Sequence, residues 1–150
     1  MNDKADRIQR VQHLAETEER KFCRAMGEAQ RLLGDNEKRL QELQEYRREY
    51  ASRRPNGVKG TISSVQWADY QNFLHRLDEA VRAQQELVMN SKQNRDAHRK
   101  RWMLKRQKME SLQKVVDRYR TDAVREDERQ EQKVQDDLPA RAHLFSRATR

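Results

Sequence analysis

Three of the six residues that most readily break a helix fall within one short stretch of this chain. Its 150 residues hold four glycines and two prolines, and Pro55, Gly57 and Gly60 stand almost side by side. A chain turns where Gly or Pro lets it, so this distribution allows one main turn and two long helices on either side of it. Composition narrows the choice further. With 34% hydrophobic and 39% charged residues, there is too little apolar surface for a layered globular core. Disorder or a narrow apolar stripe remains, and periodicity decides between them.

The apolar residues are periodic. From Ile8, positions seven apart are Ile8, Ala15, Phe22, Ala29, Asn36, Leu43 and Tyr50, and the intervening positions are Val11, Glu18, Ala25, Leu32, Arg39 and Tyr46. Ten of these thirteen are apolar. A 3-4 repeat of that length makes a single seam, which needs a partner helix. Helix one is expected over about residues 4–51, ending ahead of Pro55 because a residue preceding proline is biased out of the α region. Gly27 and Gly34 fall opposite the seam. Each weakens the helix by about 1 kcal/mol relative to alanine, and local looseness is the expected result.

A loop over about 52–62 should lead to a start signal. Ser63 with Gln66 three residues on forms a capping box, and Ile62 can pack on Trp67 as a hydrophobic staple. Helix two is expected over about 64–138, with a 4-3 seam through Leu74, Leu77, Val81, Gln84, Val88, Ser91, Arg95, His98, Trp102, Lys105, Met109, Leu112, Val116, Tyr119 and Ala123. The polar stretch from Ser91 to Arg101 should pack weakly. An unbroken antiparallel register sets Tyr50 near Trp67 and Ile8 near Met109, so helix two outruns helix one by about 25 residues, roughly 37 Å at 1.5 Å per residue. Pro139 should open a short tail over 139–150. The expected fold is all-α: a two-helix antiparallel coiled-coil hairpin, a single domain, with the second helix longer than the first.

The same features argue against chemistry. His13, His75, His98 and His143 are far apart in sequence, with no second His or Cys at metal-ligand spacing. The GVKGT segment lacks the glycine, lysine and hydroxyl order of a phosphate-binding loop. The abundant carboxylates sit on solvated faces rather than in a dry pocket that would raise a pKa for acid or base work. No catalytic, cofactor or metal residues and no small-molecule substrate are therefore expected. A lone cysteine, Cys23, and the lack of a long apolar run suggest a reducing, cytosolic setting. The net charge of +8 permits acidic partners of several kinds. Lys92 to Lys108 holds eight basic residues against Asp96 alone. They are spread around the helix with only Trp102 among them, so a solvated face or an acidic protein partner is favoured over nucleic acid.

The sharpest local signal flanks the turn: Leu43, Tyr46 and Tyr50 before it, then Trp67, Tyr70, Phe73, Leu77 and Ala80. One seam cannot bury all of these. They form a hydrophobic knot locking the closed end, an exposed groove for a partner, or both, since aromatic side chains dominate protein interfaces.

LQELQEYRREY, the Gly-containing loop and ISSVQWADYQNFLHRLDEAV together resemble the FliJ family of the bacterial flagellar type III export apparatus. The resemblance covers essentially the whole chain, although only residues 40–81 carry specific motifs. It implies a stalk whose open end enters the pore of the hexameric flagellar export ATPase, with Ile8, Val11, Val116, Tyr119 and Ala123 at that end. It further implies contact with a membrane export-gate protein through Leu43, Tyr46, Tyr50, Phe73, Leu77 and Ala80, with Ile62, Trp67 and Tyr70 as the knot. Escort of export chaperones, and peripheral association with the cytoplasmic face of the inner membrane at the flagellar base, are implied as well. Gln84, where relatives would carry histidine, and Arg39, where they would carry glutamine, depart from the pattern. A basic coiled coil on nucleic acid, or the equivalent stalk of a virulence secretion system, are the alternatives.

Overall fold

The computed structural model describes residues 2–54 and 63–148, and the side chains of 3–54 and 63–138. Two helices account for nearly all of this: α1, Asn2–Ser52, and α2, Ser64–Ala148. The chain is an all-α helical hairpin with the second helix the longer. No strand occurs among the described residues. Contacts divide the chain into two compact units, Met1–Glu19 with Lys105–Arg150, and Arg20–Leu104.

The helix ends follow local chemistry. At the end of α1 the Arg53 amide donates to the carbonyls of Glu49 and Tyr50, both at 3.2 Å, and the Ser52 hydroxyl donates to Glu49 at 2.7 Å. These bonds satisfy carbonyls that the last turn leaves without helical partners. At the start of α2, Ser63 accepts a hydrogen bond from the Gln66 amide at 3.2 Å, the expected N-cap. Ile62, the other half of the expected staple, lies outside the described residues. The expected stop ahead of Pro139 does not occur, since α2 runs to Ala148. Proline at that position removes one amide donor from the ladder, at about 3 kcal/mol. It does not forbid the helical backbone, and Ala140, Arg141, Ala142 and Leu144 beyond it are good helix formers.

The seam of α2 lies where its spacing predicts as far as Val116, after which the expected members Tyr119 and Ala123 are exposed. In the unit Arg20–Leu104, Leu77, Gln84, Val88 and Ser91 are buried, while Leu74, Val81, Arg95, His98 and Trp102 are half-buried. Ser91 is only 7% exposed and Arg95 and His98 are half-buried, so the seam positions of the polar middle are covered while the residues between them are exposed. In the other unit Val116 is buried and Lys105, Met109 and Leu112 are half-buried.

The seam of α1 lies one residue away from expectation. Covered positions run Ile8, Gln12, Ala15, Glu19, then Phe22, Met26, Ala29, Leu33, Asn36, Leu40, Leu43, Arg47 and Tyr50, a 4-3 alternation. Leu33 is 1% exposed, whereas Leu32 is 50% exposed. Val11, Glu18, Arg39 and Tyr46 likewise face solvent. Four of the thirteen covered residues are polar, and Gln12, Asn36 and Arg47 among them are bonded to α2. Gln12 donates to Gln113, Arg47 donates to Asp78, and Asn36 donates to the Ser91 hydroxyl at 2.7 Å. Gln84 in turn donates to the Asn36 carbonyl at 3.0 Å. Polar layers of this kind specify register in coiled coils because a slip leaves them unpaired.

The register differs accordingly from the expected one. Tyr50 lies against Tyr70 and Phe73 rather than Trp67, and Ile8 shares a hollow with Val116 and Tyr119 rather than meeting Met109. Glu18 with Lys105 at 2.7 Å and Gln30 with Arg95 at 3.4 Å follow the same offset in their respective units. One cause is visible at the turn. The Tyr70 hydroxyl donates to the carbonyls of Ala51 at 3.2 Å and Tyr50 at 3.4 Å, capping the end of α1 from across the seam. A register with Trp67 opposite Tyr50 forfeits that cap.

Candidate partner-binding surfaces

Within Arg20–Leu104 the turn-flanking aromatics form a continuous ladder. Tyr46 meets Phe73 edge to face with centroids 6.4 Å apart, Tyr50 tilts against Phe73 at 4.5 Å, and Tyr50 stacks on Tyr70 at 5.1 Å. Trp67 extends the stack onto Tyr70 at 5.8 Å, and the Arg54 guanidinium lies 5.0 Å over the indole. Offset and edge contacts of this sort add about 0.5–1.5 kcal/mol each beyond their buried area. Trp67, Tyr70, Tyr50 and Phe73 thus form one aromatic cluster beside the turn, with Arg54 as a member that spacing alone does not reveal.

The six residues assigned by resemblance to gate contact separate by exposure. Tyr46 is 49% exposed; Leu43, Tyr50, Phe73 and Ala80 are half-buried; Leu77 is 7% exposed. Tyr46 with the open edges of Phe73 and Ala80 can touch another molecule. Leu77 belongs to the seam and supports them from beneath. One turn along, Arg47 and Asp78 form an ion pair with 38% and 33% of their side chains exposed. Their hydrogen bond holds the Asp78 carboxyl below the usual carboxylate range and the guanidinium above its ordinary value. Neither residue was a candidate from the sequence, although Arg47 occupies a seam position where a charge needs a partner.

The residues assigned to the open end lie in the other unit. Ile8, Val116, Tyr119 and Ala123 line a hollow of about 500 Å³, together with Lys4 and Ala5. Val116 forms its floor, 3% exposed, while Tyr119 is 42% exposed at its rim. Val11 is 46% exposed and lies outside it. Past this hollow every described side chain of α2 from Glu128 to Leu138 is exposed. An Arg129 to Glu126 pair at 2.6 Å supports the helix there.

Of the basic run, Arg95 contacts Asp96 and Gln30, Lys105 reaches Glu18, and Arg106 pairs with Glu110. No group of three or more His, Cys, Asp or Glu that could hold a metal occurs among the described residues. None of their helices is long and apolar enough to cross a membrane.

Comparison with known proteins is consistent along the chain. The family model described as flagellar FliJ protein matches residues 4–148. A flagellar FliJ protein of Salmonella typhi is 29% identical over 137 residues, 91% of this chain and 93% of that one. One from Escherichia coli strain K12 is 28% identical over 134 residues, covering 89% and 91% of the two chains. On that coverage the chain belongs to the flagellar FliJ protein family.

Proposed function

We propose that this chain serves bacterial flagellar protein export as a coiled-coil stalk without bond-making chemistry of its own. Its open end enters the central pore of the hexameric flagellar export ATPase, and the closed end reaches a membrane export-gate protein. Escort of export chaperones and peripheral residence at the cytoplasmic face of the inner membrane belong to the same reading. The observation that carries it is the exposed run of α2 from Glu128 to Leu138, past the hollow at Ile8, Val116, Tyr119 and Ala123. A lone helix is about 10–12 Å across, narrow enough for a pore that excludes a globular domain. Family membership and the exposed Tyr46 beside Phe73 support the other half of the reading.

The test is a titration of purified chain against the hexameric flagellar export ATPase, following both complex formation and ATP hydrolysis. A saturable complex with raised hydrolysis is expected. No complex at micromolar concentrations would overturn the stalk reading.

A further inference from the structure

Six cations in the unit Arg20–Leu104 gather in two triplets that the fold does not use, whereas other exposed cations such as Arg31, Arg39 and Lys92 are scattered. Arg20, Lys21 and Arg24 on α1, and Arg99, Lys100 and Arg101 on α2, are all exposed. None of them forms an ion pair with a described residue, whereas Arg47, Arg95, Arg106 and Arg129 all do. Of the acids nearby in sequence, Glu18 is bonded to Lys105 at 2.7 Å and Asp96 to Arg95 at 3.1 Å. Antiparallel counting from the Gln30 to Arg95 contact sets Arg24 level with Arg101. The two triplets therefore form one band. Like charges at i,i+4, such as Arg20 and Arg24, destabilise a helix, so the band works against the fold that carries it.

Its geometry selects a class of partner. On α1 the covered neighbours are Phe22 and Met26, so Arg20 and Arg24, each two residues from Phe22, point away from α2. On α2 Lys100 lies midway between the covered His98 and Trp102 and points away from α1, with Arg99 and Arg101 to either side. The cations thus surround the paired helices. A lipid plane or a rigid duplex meets only one side at a time. A flexible polypeptide can follow the band around. Met103, 46% exposed, and Leu104, 66% exposed, border the band on α2. They offer apolar contact that a phosphate backbone has no use for.

We infer that this band is a docking surface for an acidic, amphipathic segment of another protein, with Met103 and Leu104 taking its apolar side chains. The inference does not depend on the stalk reading. The test uses the full chain and a fluorescent synthetic peptide of glutamate with leucine at every third or fourth position, read by anisotropy. Two further probes are a labelled duplex DNA and phosphatidylglycerol vesicles. Saturable peptide binding that weakens with salt is expected. Replacing Arg20, Arg24, Lys100 and Arg101 by glutamine should lower peptide affinity about tenfold, each lost ion pair contributing about twofold. A control that removes the same charge, Arg7→Gln, Arg10→Gln, Arg118→Gln and Arg125→Gln, should change it by less than about twofold, these positions lying off the band. The half-variants Arg20→Gln with Arg24→Gln, and Lys100→Gln with Arg101→Gln, should each lose about threefold to fourfold. Equal losses in band and control variants would reduce the effect to net charge and overturn the inference. So would tighter binding of the duplex or the vesicles than of the peptide, or no peptide binding at all.

Discussion

Replacing Leu33 by alanine should destabilise the protein strongly, and the same change at Leu32 should do almost nothing. Leu33 is the one large side chain buried to below 2% exposure among the described residues, at 1%, while its neighbour is 50% exposed. Leucine to alanine in a closed core costs about 2.7–5.0 kcal/mol, of which the cavity term is the variable part. A two-helix seam can collapse around the gap and admit water at its rims, so the lower end, about 2–3 kcal/mol, applies at Leu33. At Leu32 the change lies within about 0.5 kcal/mol, as for most surface substitutions. Urea unfolding followed by far-ultraviolet circular dichroism measures both. With a slope of about 2 kcal/mol per molar, Leu33→Ala moves the midpoint down by about 1–1.5 M. Equal shifts for the two variants, or a larger one for Leu32→Ala, would refute the phase of the α1 seam and with it the register.

Other changes report on separate parts of the account. Ser91→Ala leaves the Asn36 amide without its cross-helix acceptor and should cost about 1 kcal/mol in the same unfolding assay. Gly27→Ala and Gly34→Ala should each stabilise by about 0.5–1 kcal/mol, because a β-carbon at either position meets nothing within 4 Å. Asp78, held below its ordinary value chiefly by its hydrogen bond from Arg47, contributes stability that is present above the ordinary carboxylate range and fades as pH falls through its depressed folded value. Comparing thermal midpoints from neutral pH down through that range, Asp78→Asn should lose less stability on acidification than the parent chain. Tyr46→Ala should keep helicity and cost only about 0.5–1.5 kcal/mol from its edge contact with Phe73, while abolishing capture of an export-gate protein, since that ring is 49% exposed. A collapse of helicity would assign Tyr46 to the knot instead.

Much of this architecture was legible because helix breakers are rare and clustered. The Ser63 cap was equally legible, since hydroxyl and amide stand at the spacing that the first turn requires. The α1 seam was not. Its apolar count favours Val11, Ala25, Leu32 and Tyr46 over Gln12, Glu19, Met26, Leu33, Leu40 and Arg47 by ten positions to nine, a margin too small to decide a phase. What decides it is partnership. Gln12, Asn36 and Arg47 are covered because Gln113, Ser91 and Asp78 await them, and a single helix read alone cannot show that. The same holds for the turn, where Tyr50 and Tyr70 were visible as aromatics but not as a stack with a shared cap. Pro139 misled for a different reason. Proline weakens a helix locally without fixing the conformation beyond it.

Among the candidate surfaces, exposure could not be read from residue type. Leu77 and Tyr46 fit one turn-flanking motif equally well, yet the seam takes the first and solvent the second. Val11 and Ile8 differ in the same way at the other end.

The central claim assigns two different partners to two different ends. It is tested most directly by measuring both interactions on two variants, a chain ending after Asp122 and full-length Tyr46→Ala. The shortened chain should lose stimulation of the flagellar export ATPase while still capturing the export-gate protein. Tyr46→Ala should lose the gate protein while still stimulating the ATPase. Loss of both interactions by either variant, with helicity intact, would contradict it.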